Sequence, residues 1–246
     1  MGYGRSLKTL GLAALLAATA PSAVACPVIA GAEGDGLAAR DDDARLAWIR
    51  ARVARTSHRA NVWLYGWEIG IAGATVVDLA MIPILGDTRS NRIDFGLGAV
   101  TTIIGIPPLL LWKPRVIADH EALEALAATP GADRCAVLAD AERRLVAAAD
   151  AQAGQRAWYM HAGNVVLNAG VVLLFGAFHH WTSGVLNGIG GAIVGEVIIF
   201  TEPVDQLDDL ARYRRGEIAA PAAATTWQLV PTVSRGGVGL ALAIEL

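Results

Sequence analysis

The stretch Ser183-Gly-Val-Leu-Asn-Gly-Ile-Gly-Gly-Ala-Ile-Val-Gly-Glu-Val-Ile-Ile-Phe200 decides the fold class of this chain. It is apolar along its whole length except for one acid, Glu196, and a few small polar residues. A run of about 18 or more residues with so few charges is typical of a helix that crosses a membrane. The sequence therefore predicts a membrane-spanning helix here.

Glycines recur in this run at spacings of four, three and four residues, at positions Gly184, Gly188, Gly191 and Gly195. On a helix these spacings place the four residues on one face. A face without side chains allows a neighbouring backbone to approach closely, which is a common way for membrane helices to associate. We predict that this face packs against another helix.

Three further apolar runs resemble the first in length and composition. They are Val62 to Leu85, Phe95 to Trp112, where two prolines should kink or loosen the helix near its end, and Met160 to Trp181. The mean hydropathy of +0.44 and a charged content of 17% agree with a membrane protein. The predicted fold is therefore an all-α membrane protein with four transmembrane helices arranged as two tandem helical hairpins.

The segments between the spans predict the rest of the organisation. The chain divides into a signal peptide (1–25), an exported lead-in with a basic amphipathic helix (26–61), a first transmembrane hairpin (62–112), a soluble helical hairpin (113–157), a second transmembrane hairpin (158–202), a polar helix with an Ala/Pro linker (203–226) and a small C-terminal β-hairpin (227–246). The two transmembrane hairpins also resemble each other, as an internal repeat or as a coincidence between segments rich in Ala and Gly.

The amino terminus has the features of an export signal. Arg5 and Lys8 precede an apolar core, and Ala23-Val24-Ala25 is a small-residue cleavage pattern. Cleavage there would make Cys26 the first residue, so ordinary cleavage, lipidation of Cys26 and an uncleaved anchor are all considered. The other cysteine, Cys135, could form a disulfide with Cys26 in an oxidising compartment, or both could be small apolar residues without a covalent partner.

The basic amphipathic helix predicted within residues 26–61 carries five arginines, at positions 45, 50, 52, 55 and 59. They could lie on anionic lipid head groups, or they could form an ordinary solvated face. The formal net charge of −3 gives no indication of a nucleic-acid partner.

A few polar residues inside the spans are candidates for chemistry. Glu68 and Glu196 lie at similar depth from the same predicted side of the membrane, and His161 and Asn164 begin the third span at that side. A cluster of Glu68, Glu196, His161 and Asn164 could relay protons or hold a cation. The alternative is that these side chains hydrogen-bond between helices and hold the spans together.

The sequence contains no nucleophile triad, phosphate loop or dinucleotide-binding pattern, and no enzyme activity, cofactor or metal is expected. We expect a structural or scaffolding protein of a bacterial-type cell envelope, with the inner membrane favoured over the outer. Its expected partners are the lipid bilayer, further copies of itself or other envelope proteins. The alternative is a small channel or transporter subunit that uses the intramembrane acids.

The sidedness of the protein follows from two opposing signals. The export signal places the amphipathic segments and the termini outside, whereas Arg and Lys are concentrated in those segments, against the positive-inside tendency. We expect the segments between hairpins to be exported, because long exported segments count less in that tendency.

Overall fold

The computed structural model describes residues 25–111, 113–218, 226–234 and 237–245. The predicted signal peptide therefore lies outside the described residues except for Ala25, and so do most of the Ala/Pro linker and residues 235–236 of the C-terminal turn. The described elements are eight helices and two strands: α1 (Asp42–Leu85), α2 (Arg89–Ile104), α3 (Ile106–Leu111), α4 (Arg115–Ala127), α5 (Arg134–Gln155), α6 (Trp158–Phe178), α7 (Trp181–Thr201), α8 (Asp205–Arg214), β1 (Thr226–Ser234) and β2 (Gly237–Glu245).

Four helical stretches within the described residues are long and apolar enough to cross a membrane, which confirms the prediction at this level. They lie in Asp42–Leu85, Arg89–Ala127, Trp158–Phe178 and Trp181–Arg214. Large apolar side chains point outward along all four stretches, where water would make their exposure costly and lipid would not. Examples are Ile69 at 67% exposure, Ile104 at 57%, Val166 at 71% and Leu186 at 68%.

Helix α1 is a single element of 44 residues, in which the predicted basic helix and the first span are continuous. It begins at Asp41, whose side chain accepts hydrogen bonds from the backbone N–H groups of Asp43 and Ala44. The basic segment therefore does not turn to lie along a membrane surface. It rises directly out of the first span.

The second span is interrupted, as its prolines predict. Helix α2 ends at Gly105, and α3 begins at Ile106 with Pro107 in its first turn. Proline has no backbone N–H to donate and is favoured in the first turn of a helix, which is where Pro107 lies in α3. The preceding helix α1 ends at Leu85, and Gly86 is its C-terminal cap.

The amphipathic segments fold into one closed core, which we call the foot domain: residues 25–60, 115–155 and 205–218. Its core side chains come from the lead-in, the first half of α1, α4, α5 and α8, and include Leu37, Ile49, Leu123, Leu145 and Tyr213 at 0% exposure. Burial of this much apolar surface is the main driving force for folding in water. Segments separated by two apolar hairpins thus form a single domain.

The two strands at the carboxyl end pair with each other antiparallel, with Thr226 opposite Glu245 and Ser234 opposite Gly237. In the part of the chain that is described, this is the whole of the sheet.

Candidate functional site

The helices α6 and α7 pack along each other, and the predicted glycine face of α7 lies against α6. A Cβ atom on Gly184 would lie 2.6 Å from the carbonyl oxygen of Val172 and 2.9 Å from the backbone nitrogen of Gly176. On Gly188 it would lie 2.9 Å from the carbonyl oxygen of Asn168. Real Cβ contacts this short essentially never occur, so only glycine permits this separation of the two helices.

The other two glycines of this face accommodate polar side chains of α6. A Cβ on Gly191 would clash with the side-chain amide of Asn168, and one on Gly195 would clash with that of Asn164. Each asparagine amide thus occupies the space that a side chain on α7 would fill. By contrast, nothing lies within 4 Å of the Cβ position of Gly190, on the same helix.

The polar side chains of the two helices hydrogen-bond to each other. His161 Nδ1 lies 2.6 Å from one carboxylate oxygen of Glu196, and the Asn164 amide donates to the other at 2.9 Å. The Asn164 amide also donates to the carbonyl oxygen of Ala192, and the Asn168 amide donates to the backbone and side-chain oxygens of Asn164. Both carboxylate oxygens of Glu196 therefore have partners from α6. We call His161, Asn164, Asn168 and Glu196 the α6–α7 polar cluster.

The structure brings together three of the four residues predicted to form a cluster. Glu68, on α1, is half-buried, and its carboxylate has no hydrogen bond to the other three in the described part of the chain. The position of a residue along a helix does not determine which direction its side chain faces, so the spacing could not show that Glu68 lies outside the hydrogen bonds of the other three residues. Asp78, a further acid in the apolar half of α1, packs against α2, where a Cβ on Gly98 would lie 2.9 Å from its carboxylate.

Side chains of α1 and α2 contact side chains at the two ends of the α6–α7 pair. Near the foot domain, the indole N–H groups of Trp63 and Trp67 both donate to Thr201 Oγ1, at 3.1 and 3.2 Å. At the opposite end, His179 Nε2 lies 2.9 Å from Asp94 Oδ1. His179 and the adjacent His180 form the connection between α6 and α7, and His179 links this connection to the start of α2.

The foot domain contains a buried charged network that sequence reasoning missed. Arg45, at 1% exposure, donates to Glu142 at 2.5 Å, to Asp42 at 2.9 Å and to the hydroxyl of Tyr213 at 3.2 Å. Tyr213 donates in turn to Glu142 at 2.6 Å, and burial together with this acid raises the pKa of Tyr213. In the sequence these residues resemble ordinary charges on amphipathic helices, so nothing marks them as buried.

Three further arginines of α1, Arg50, Arg52 and Arg59, also lie beside acids. Arg50 pairs with Glu124 of α4, and Arg59 lies 2.6 Å from Asp205 of α8. Hydrogen bonding from Arg50 lowers the pKa of Glu124. Arg45 is buried and therefore does not contribute to a lipid-facing surface, whereas Arg50 and Arg59 remain partly exposed beside their acid partners.

The two cysteines are joined. Cys26 in the lead-in and Cys135 at the start of α5 form a disulfide, with their Cα atoms 5.2 Å apart. Among the described residues, only Cys26, Asp42 and Cys135 lie close enough to share a metal ion, but the disulfide uses both sulfur atoms. This group is therefore not a metal centre in the oxidised protein.

The chain matches no family model, no curated protein and no solved structure.

Proposed function

We propose that this protein is a structural or scaffolding component of a bacterial-type cell envelope, anchored in the lipid bilayer by two tandem transmembrane hairpins. The α6–α7 interface carries the proposal. Its four glycines allow close packing of α6 and α7, and its polar cluster forms hydrogen bonds between them. Both features hold the two helices in a fixed arrangement, as a rigid membrane scaffold requires.

The geometry favours packing over ion conduction. A proton or cation path needs polar groups along the whole membrane thickness, but the cluster begins at His161 and ends at Asn168. The remaining α6 residues up to Phe178 are apolar or glycine, about 15 Å of helix at 1.5 Å per residue. The polar side chains between α6 and α7 thus satisfy one another at one end of the hairpin.

The foot domain supports export. A disulfide persists in an oxidising compartment, such as the space outside the inner membrane, and is rare in the cytoplasm. The Cys26–Cys135 bond lies in the foot domain, so we place that domain outside and the hairpin tips at Asp94 and His179 inside. The inner membrane is favoured because helical spans, rather than a closed barrel, form the membrane part.

Contact with partners would use a surface other than the α6–α7 interface. Three glycines of α1, Gly66, Gly70 and Gly73, have nothing within 4 Å of their Cβ positions. Their spacings of four and three are those of a small-residue face. Further copies of the chain or other envelope proteins are the proposed occupants of such faces.

The experiment compares Glu196→Gln and Glu196→Leu in purified protein reconstituted into liposomes. A glutamine side chain retains one acceptor and gains a donor, so it can bond both Asn164 and His161. A leucine leaves their polar groups unpaired, which costs about 1–3 kcal/mol. We expect near-normal stability for Glu196→Gln, clear destabilisation for Glu196→Leu, and no proton or cation flux from any variant.

Glu68→Leu is the matched control, since Glu68 is an acid of similar predicted depth outside the cluster. It should destabilise the fold less than Glu196→Leu does. Ion flux in the wild-type protein that Glu196→Gln abolishes, with the fold intact, would refute the structural role and support a channel or transporter subunit.

A further inference from the structure

We propose that the mature chain begins at Cys26 and that its new α-ammonium group binds Asp42 inside the foot domain. The backbone nitrogen of Cys26 already donates to Asp42 Oδ2 at 2.9 Å. Cys26 is 5% exposed, whereas Ala25 before it is exposed. The inference goes beyond the scaffold role and rests only on the export that the proposed function includes.

Two carboxylates of the foot domain share one guanidinium. Asp42 and Glu142 both accept hydrogen bonds from Arg45. Arg134 bonds Asp41 and Asp43 instead. The side chains of Asp42 and Glu142 are 13% and 6% exposed, so both have lost most of their hydration, and a second cation beside Asp42 would be stabilising.

A free amino terminus at Cys26 supplies that charge where it is needed. Its position is fixed by the disulfide to Cys135 and by the Arg45 guanidinium, which donates to the carbonyl oxygens of Cys26 and Pro27. An ammonium group at the Cys26 nitrogen would face Asp42 Oδ2 at hydrogen-bond distance. The network would then hold two cations and two anions.

The covalent step is hydrolysis of the Ala25–Cys26 peptide bond by a signal peptidase. Water adds to the carbonyl carbon, the carbon–nitrogen bond breaks, a carboxylate remains on Ala25 and the released amine of Cys26 takes up a proton. Small residues three positions and one position before the bond, Ala23 and Ala25, fit the cleavage pattern. Because Cys26 is buried in the folded domain, cleavage precedes closure of the foot domain.

The same geometry rules out a lipid anchor on Cys26 in the oxidised protein. Lipidation of an amino-terminal cysteine requires its sulfur for a thioether, and that sulfur is bonded to Cys135. Acylation of the amine would also remove the positive charge that Asp42 binds. The cysteine is thus a covalent and electrostatic anchor for the terminus within the protein itself.

The sequence offers a simple assay, because the chain has two lysines, Lys8 and Lys113. After cleavage the amines that remain are the α-amine of Cys26 and the exposed side chain of Lys113. The full-length gene product is purified from membranes under non-reducing conditions, treated with an acetylating ester, and weighed by intact mass spectrometry. We expect a mass that begins at Cys26, one acetyl group in the folded protein, and two after denaturation.

Asp42→Asn tests the ion pair, with Asp43→Asn as the matched control on an exposed carboxylate one residue away. We expect the α-amine of Asp42→Asn to acetylate about tenfold faster or more, because local opening limits access to a buried group. Asp43→Asn should retain slow acetylation. A second variant, with one alanine inserted between Ala25 and Cys26, keeps the signal peptide and the Cys26 N–H but moves the amine released after Ala25 one residue outward, and should take two acetyl groups while folded.

Three results would overturn the inference. They are a mass that retains residues 1–25, a mass with added acyl chains, and rapid acetylation of the α-amine in the folded wild-type protein. Membrane fractionation of the same sample tests the proposed scaffold function independently of the inference about the amino terminus. Protein that is cleaved and protected but absent from membranes would refute the membrane scaffold alone.

Discussion

The replacement Gly188→Ala, compared with Gly190→Ala, isolates the contribution of the glycine face. The added Cβ on residue 188 would lie 2.9 Å from the carbonyl oxygen of Asn168, where ordinary contact begins at 3.4 Å. It would also clash with the side chain of Val172. The carbonyl belongs to the α6 backbone and cannot rotate away, so the helices must separate by about 0.5 Å, the difference between these two distances.

The two replacements should change the free energy of unfolding differently: Gly188→Ala should lower it, and Gly190→Ala should not. Overpacking costs about 1–3 kcal/mol, and the better helix propensity of alanine returns up to about 1 kcal/mol. Gly188→Ala should therefore lower the free energy of unfolding by about 1–2 kcal/mol. Gly190→Ala meets nothing within 4 Å and should leave stability unchanged or raise it by up to about 1 kcal/mol.

The assay is unfolding in mixed micelles by a denaturing detergent, followed by far-UV circular dichroism. A difference of about 2 kcal/mol between the variants corresponds to roughly a 30-fold change in the unfolding equilibrium. Equal stability of the two variants would show that the close approach of α6 and α7 at Gly188 contributes nothing, and would refute the reasoning.

Three further predictions concern the foot domain and its junction with the membrane. Cys135→Ser removes the disulfide to Cys26, a residue 109 positions earlier in the chain. It should lower the free energy of unfolding by about 2–5 kcal/mol, measured by thermal unfolding without reductant. Burial raises the pKa of Asp209 to about 6, above about 3.9 in the unfolded chain, so the contribution of this carboxyl group to stability should fall as pH rises from about 4 to 6. Wild-type stability should therefore fall relative to that of Asp209→Asn over this range; a difference between the two proteins that does not change with pH would contradict the prediction. Thr201→Val removes the acceptor of two indole N–H groups and should cost about 1–2 kcal/mol in the same detergent assay, whereas an unchanged transition would exclude a role for these bonds.

The four apolar helices follow from the sequence because their signals are local. Length and hydropathy predict the four apolar helices, and the break at Gly105 follows from the prolines after it. The spacings of His161, Asn164 and Glu196 give their depth along each helix. Their contact additionally depends on how α6 and α7 rotate about their axes, which spacing alone does not determine.

The foot domain could not be predicted because its contacts join distant parts of the chain. Arg45 and Glu142 are 97 residues apart, and Arg45 and Tyr213 are 168 apart, with apolar hairpins between them. An amphipathic helix shows that one face will be buried, and does not show which helix will cover it. The two cysteines were the one available sign that the lead-in lies beside α5.

The most direct test of the account is accessibility labelling in intact, spheroplasted cells that carry single added cysteines. Thr129→Cys places a thiol on the exposed turn after α4 in the foot domain, and Arg89→Cys places one at the exposed start of α2, at the hairpin tip. The account predicts that an impermeant maleimide labels residue 129 from outside and labels residue 89 only after the membrane is permeabilised. Labelling of residue 89 in intact cells, with residue 129 protected, would contradict it by reversing the orientation of the whole protein.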